Sequence, residues 1–213
     1  MTPVSASKVV RIKGRDTGGV ERTVKTDTQG RIVLSDTITI SSALLSLPLA
    51  NASDAMTLPL VGGTYAAQDE VSDSAVGAMA TPLNFANVVD GVGKSGYIVK
   101  AILESVSGAA TFVVTNAVFR LWLFNAAPTT MFGNDSAFQL DAADKAKRVG
   151  YVDFALVTEG TGSDTGYGLD DGLRMAFTCD AGDVDLYGVL VAKAAYVWTA
   201  SQTFDVFLTI EGA

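Results

Sequence analysis

Between Tyr97 and Phe124 the chain alternates apolar and polar side chains in a way that few folds can use. In the run Tyr97–Glu104 the odd positions Tyr97, Val99, Ala101 and Leu103 are all apolar, whereas Lys100 and Glu104 fall between them. A Ser-Gly turn leads to Thr111-Phe112-Val113-Val114. A second break opens the run Val118–Phe124, in which Phe119, Leu121 and Leu123 share a face opposite Arg120. Period two, with β-branched and aromatic content and Ser-Gly punctuation, predicts half-buried antiparallel strands. The sequence therefore places this stretch in the middle of a β-sandwich, with Tyr97, Val99, Ala101 and Leu103 facing inward.

The flanking chain supports the same class. Upstream, strands are predicted at Val9–Lys13, Glu21–Lys25, Arg31–Leu34 and Asp36–Ser41, then a linker around Leu45–Asp54, then strands at Met56–Leu60 and Leu83–Val89. Downstream, Tyr151–Val157, Leu173–Cys179, Leu186–Ala192 and Phe204–Ile210 read as strands, with Leu173, Met175, Phe177 and Cys179 on one face. Residues 141–148 have the signals of a short helix: Asp141 to cap it, Asp144 in the first turn, Lys145, Lys147 and Arg148 in the last, and Gly150 to stop it. The prediction is a mainly β protein, an antiparallel β-sandwich of jelly-roll type with one short helix, although this patterning fits an up-and-down barrel too. Residues 1–54 are expected to form a β-ribbon arm and linker, and 55–213 the body. Three short strands in the arm, with few large apolar side chains, have too little core to stand alone.

Charge is unevenly distributed along the chain. Residues 1–31 hold Lys8, Arg11, Lys13, Arg15, Arg22, Lys25 and Arg31 against three acidic groups, +4, and residues 32–213 hold eight basic against twenty acidic groups, −12. A basic arm on an acidic body points to an anchoring role for those seven residues, on an acidic protein surface or on another subunit. Nucleic acid is a poor partner, because the acidic body repels phosphate and no aromatics interleave the arm's basic residues. Only 18% of the residues are charged, against about 25% in ordinary soluble domains. Neutral and apolar surface on this scale predicts a homo-oligomer. The sequence predicts no secretion signal and no membrane span: a charged strand follows Met1–Ser7, and the apolar runs near Ala43 and Val189 are interrupted by polar residues or by Lys193.

Residue types set limits on chemistry. The chain has no histidine, so no Ser-His-Asp or Cys-His pair and no imidazole ligand can form. Cys179, on an apolar face, reads as an inert core thiol. Asp180, Asp183 and Asp185 lie close enough in sequence to suggest a calcium loop, but the terminal glutamate of an EF-hand is missing and acidic turns between strands are common. The Gly160–Gly166 loop lacks the Lys-Ser/Thr ending of a phosphate loop. Trp122 and Trp198 could form a sugar platform, yet both sit in strand-like runs that favour the core. No enzyme, cofactor or metal is expected.

One similarity goes beyond composition. Phe119-Arg120-Leu121-Trp122-Leu123-Phe124-Asn125-Ala126-Ala127-Pro128-Thr129, then Asn134-Asp135-Ser136-Ala137-Phe138, then Asp144–Lys147 and Gly150–Phe154, resembles a family of tailed-bacteriophage structural proteins. In that family a strand ending "LFNA-PT" precedes a "DNAAF"-like loop and a short helix; here the order is Asn134-Asp135. Tyr65–Asp69, Leu186–Ala192 and the arm segments Gly14–Gly19 and Asp27–Arg31 are similar to other parts of the pattern. The resemblance implies a virion protein, within that class a head decoration (cement) protein. Such a protein is made in the host cytoplasm, binds the major capsid protein at the capsid surface and is often trimeric. The receptor- or glycan-binding head of a fibre is the other role within reach, with the Gly160–Asp171 loop and Trp198 facing the ligand.

Overall fold

The computed structural model describes residues 49–212 except 60–61, 75–79, 109–110, 130, 132, 159 and 161, together with the backbone of four two-residue strands in the first 33 residues. The chain divides into two compact units, Met1–Ser46 and Leu47–Ala213. In the first, β1 (Gly14–Arg15) pairs antiparallel with β2 (Glu21–Arg22), and β3 (Lys25–Thr26) with β4 (Ile32–Val33). The predicted strand at Asp36–Ser41 lies outside the described residues.

The second unit holds β5 (Leu49–Thr57), β6 (Gly63–Tyr65), β7 (Glu70–Val71), β8 (Leu83–Phe85), β9 (Ser95–Val106), β10 (Val118–Phe124), α1 (Ala142–Lys145), β11 (Arg148–Ala155), β12 (Val157–Thr158), β13 (Thr165–Asp170), β14 (Met175–Thr178), β15 (Leu186–Ala192), β16 (Tyr196–Trp198) and β17 (Thr203–Gly212). One sheet runs β12-β13-β9-β17-β5, with β14 also on β9; the other runs β11-β10-β15-β7, with β8 also on β15. Every pairing is antiparallel. From β5 through β8, β9, β10, β11, β13 and β15 to β17, the chain changes sheet at each step except β10 to β11. Its first and last long strands, β5 and β17, lie side by side. This is the double Greek key of a jelly roll, and the non-sequential strand order excludes the up-and-down barrel.

Inward side chains of both sheets make one core, from Ala52 to Ile210. Phe119, Leu121 and Leu123 of β10 meet Leu103 of β9 and Phe204, Val206 and Leu208 of β17, all nearly or wholly buried. Phe119 is edge-on to both Phe204 and Tyr196, with ring centroids 5.0 and 5.1 Å apart, the geometry aromatic quadrupoles prefer. Gln202 brings a polar network into this core. Gln202 donates from Nε2 to Ser105 Oγ and to Tyr196 Oη, each at 2.8 Å, and Ser105 donates to the Thr203 carbonyl.

Several predicted elements differ. Residues 49–54, expected as linker, open β5: Ala50, Ala52 and Met56 turn toward the core while Asn51, Ser53 and Ala55 face out. The signals of Asn-Ala-Ser were those of a loop, but small side chains suit an edge strand under a packed sheet. The alternation in β9 breaks at Val99. Lys100 pairs with Thr209 and Ile98 with Ile210, so Val99 is an extra residue, a β-bulge that reverses the facing of everything before it. Ala101 and Leu103 face inward as expected, but Ile98 replaces Tyr97, which is 38% exposed. Thr111–Val114 forms no strand. Phe112 instead plugs the core over Gly166, where any Cβ would collide with its ring. The helix is a single turn, capped as predicted by Asp141, which accepts from the Ala143 N–H at 3.2 Å; Arg148 already belongs to β11.

Candidate interaction surfaces

The seven arm residues are placed only in part. Arg15 pairs with Glu21 and Arg22 with Gly14 on the β1–β2 ladder, and Lys25 pairs with Val33 on β3–β4. Lys8, Arg11, Lys13 and Arg31 lie outside the described residues. The structure thus brings Arg15 and Arg22 together on one backbone ladder and Lys25 onto another.

In the body, the residues singled out for chemistry have structural work. Asp183 accepts from the Val184 and Asp185 N–H groups at 2.8 and 3.0 Å and from the Tyr187 hydroxyl at 2.9 Å. Asp185 accepts from the Asn87 N–H at 2.8 Å. These carboxylates tie a turn together. Burial, with Asp183 beside it, pushes the Tyr187 hydroxyl up to about 12. Cys179 is buried and unpaired, and burial pushes its thiol up to about 11, away from the reactive thiolate. Trp198 is 4% exposed and stacks on Tyr65 at 5.6 Å, so it cannot face a ligand as the fibre-head reading required. Among the described residues no three His, Cys, Asp or Glu side chains gather as a metal cage would need.

The outer face of the β11-β10-β15 sheet is a finished surface. A second apolar cluster sits on it: Phe124, Met131, Val189 and Val191, with Trp122, Phe138, Leu140 and Tyr187 packed alongside. The segment after β10 therefore lies over β15, which explains why that strand is apolar on both faces. At the rim, Arg120 makes a two-pronged bond to Asp153 at 2.7 and 2.8 Å, and Lys193 reaches the same carboxylate at 2.7 Å. The Arg120 guanidinium lies 3.8 Å over the Tyr151 ring and 5.3 Å from that of Trp122. Arg120's hydrogen bond, more than its charge, holds the Asp153 carboxyl below its usual range. Trp122 stacks on Phe138 at 6.2 Å and meets Tyr151 edge-on at 5.2 Å.

The outer face of the other sheet has no such cover among the described residues. Leu169, Ile102 and Phe207 stand in one cross-strand row, β13-β9-β17; Leu169 is 45% and Phe207 39% exposed. The next row is Val157, Tyr167, Glu104 and Asp205. Glu104 and Asp205 are directly opposed, an unfavourable arrangement for two carboxylates, and neither has an ion-pair partner among the described residues. Burial raises the Asp205 carboxyl above its ordinary value. Ser53, Asp54, Ala55, Asp205 and Phe207 line a shallow hollow of about 270 Å³. The sequence carried a signal for this surface: Phe207 and Ile102 interrupt the polar series of β17 and β9. Where the two sheets part, an open cleft of about 580 Å³ is lined by Ser95, Tyr97, Asn125, Arg148 and Thr178 among others. Two of its hydroxyls, those of Ser95 and Thr178, are paired with each other at 2.8 Å.

No protein-family model matches the chain, and no curated protein matches it. Among solved structures it is similar to a chain of the cyanophage Pam1 capsid asymmetric unit, at 14% identity over 89% of this chain and 98% of that one, with a TM-score of 0.29. It is similar too to a chain of Desmodium yellow mottle tymovirus, at 10% identity over 78% and 86%, TM-score 0.27. A chain of Triatoma virus matches at 11% identity over 97% and 84%, TM-score 0.25. Superpositions this loose leave the fold to be read from this chain's own strand order.

Proposed function

We propose that this is a non-enzymatic structural protein of a phage virion, a decoration or cement protein that binds the assembled head and uses its basic N-terminal arm to cross subunit boundaries. The observation that carries the reading is the opposition between a +4 segment, residues 1–31, and a −12 remainder, residues 32–213, whose exposed sheet face bears apolar side chains and carboxylates without an ion-pair partner among the described residues. Such a chain is built to be held by neighbours, not to turn over a substrate. The sequence resemblance to tailed-phage structural proteins supports the virion location, and the jelly roll is a fold used in capsids as well as elsewhere. In this reading Lys8, Arg11, Lys13, Arg15, Arg22, Lys25 and Arg31 meet acidic surface on the major capsid protein or on the next copy, and the protein is a homo-oligomer, a trimer by preference.

Co-sedimentation with expanded, undecorated capsids at two salt concentrations tests it. Among the described residues the core draws on none before Ala50, so deletion of residues 1–34 leaves the body folded and abolishes capsid binding. Reversal of Lys8, Arg11, Lys13 and Arg22 to glutamate acts in the same direction, and wild-type binding weakens with salt, since exposed charges are screened over about 10 Å at 0.1 M. Full capsid binding by the truncated, folded body would sink the anchoring role. Binding to host-cell glycans with none to capsids would transfer the protein to a fibre.

A further inference from the structure

We infer that the outer face of the β13-β9-β17-β5 sheet, centred on Phe207 and the Glu104–Asp205 pair, is the landing site for the basic arm of a second copy of this chain. The inference rests on the proposed self-associating role and names where one subunit grips the next.

Charge chooses the occupant. Two copies of this face brought together would juxtapose four carboxylates at the centre of the contact, so a two-fold, face-to-face dimer is disfavoured. The chain's own arm supplies what the face lacks. Val9-Val10-Arg11-Ile12-Lys13 interleaves branched apolar side chains with basic ones, against a surface whose apolar row Leu169-Ile102-Phe207 lies two residues along the strands from its acidic row. The hollow between Phe207, Asp205 and Ala55, about 270 Å³, suits a lysine or arginine whose methylenes lie on the phenylalanine while its head meets the carboxylate. Reach is sufficient. Fifteen residues separate Val33 from Leu49, a number that can span at most about 50 Å, while a body of this size has a radius of gyration of about 15 Å. An arm-to-face contact is head-to-tail, and such contacts close into rings when the rotation permits, in keeping with a trimer.

Sedimentation velocity on the full-length protein at low salt decides the matter. Replacing Glu104→Lys and Asp205→Lys together should weaken self-association about tenfold or more, and so should Lys8→Glu, Arg11→Glu and Lys13→Glu together. Combining the two sets should restore it. The neutral pair Glu104→Gln and Asp205→Asn, which spares the fold, separates the geometries by sign: it weakens arm docking but strengthens face-to-face pairing. Undiminished association of the double reversal Glu104→Lys with Asp205→Lys, failure of the combined set to restore it, tighter association of the neutral pair, or a wild-type monomer would each overturn the inference. Capsid co-sedimentation of the reversed body isolates the larger reading. Retained capsid binding with lost self-association leaves decoration standing, whereas intact self-association with no capsid binding by any form removes decoration and spares the arm contact.

Discussion

The two outer faces of the sandwich are built from the same kind of strands and have opposite patterns of contact. On the β11-β10-β15 face the large exposed groups have been given neighbours. Arg120 is bonded to Asp153 and stacked on Tyr151, Lys193 shares the same carboxylate, and Trp122 is wedged between Phe138 and Tyr151. On the β13-β9-β17-β5 face, Leu169 and Phe207 stand exposed and Glu104 faces Asp205 across the strands. A face completed inside the chain should resist substitution as a core does. A face left for a partner should tolerate substitution in the monomer and show its cost only on assembly.

Trp122→Ala is the largest expected break. It removes a ring that touches two aromatic neighbours and lies beneath two guanidinium groups, of Arg120 and Arg148. The loss should be about 3 kcal/mol, within the range for large aromatic truncations, seen as a lower denaturation midpoint with an unchanged m-value. A change below about 0.5 kcal/mol, the usual surface range, would mean that the covered face is no more finished than the bare one.

Next in size is the charge network. Arg120→Ala loses a two-pronged bond and a ring contact and should cost about 1–2 kcal/mol. Asp153→Asn should cost about 1 kcal/mol, discounted because the carboxylate is partly exposed to solvent. The pH dependence has a definite sign. Asp153's folded value is depressed, so its contribution is present above the unfolded carboxyl value and is lost as pH falls through the folded one. Wild type and Asp153→Asn should therefore differ at pH 7 and converge near pH 2 in denaturant titrations. A gap that widens on acidification would contradict the assignment.

The contrast between the faces was half legible in the sequence. Phe119, Leu121 and Leu123 against Arg120, and Phe204, Val206, Leu208 and Ile210 against Asp205, placed the core strands correctly, because a strand with one face in the core has to alternate. What period two cannot carry is a bulge: Val99 shifts the phase of β9, so Tyr97, expected inside, lies outside under Arg174 at 4.6 Å. Nor can it carry cover supplied from a distance. Leu186–Ala192 reads as apolar throughout, but only the fold shows that Phe138 and Leu140 pack over its far side. The basic arm was found by charge alone, whereas the facing carboxylates Glu104 and Asp205 needed strand register, since they lie about a hundred residues apart in sequence and face each other only across β9 and β17.

On the bare face Phe207→Thr should change the stability of the body, residues 47–213, by no more than about 0.5 kcal/mol. Threonine keeps the strand preference, and the lost ring was partly in water already. Urea denaturation of the body measures this directly. A loss of about 2 kcal/mol or more, the size seen for buried side chains, would place Phe207 in the fold's own packing.

The smallest effect has the opposite sign. Asp205→Asn removes one of two facing carboxylates that have no ion-pair partner among the described residues, so the isolated body should gain a few tenths of a kcal/mol at pH 7. Burial raises the folded value of Asp205, which makes the wild-type carboxyl most favourable while protonated. Its contribution is complete below the unfolded value and declines as pH rises through the folded one. The advantage of Asp205→Asn should thus be absent near pH 3 and emerge between there and neutrality, in the reverse order to Asp153→Asn. Paired urea titrations of the two variants at pH 3 and pH 7 make the comparison within one body. If Asp205→Asn destabilises at pH 7, then Asp205 is serving the monomer, and the bare face is less vacant than its register implies.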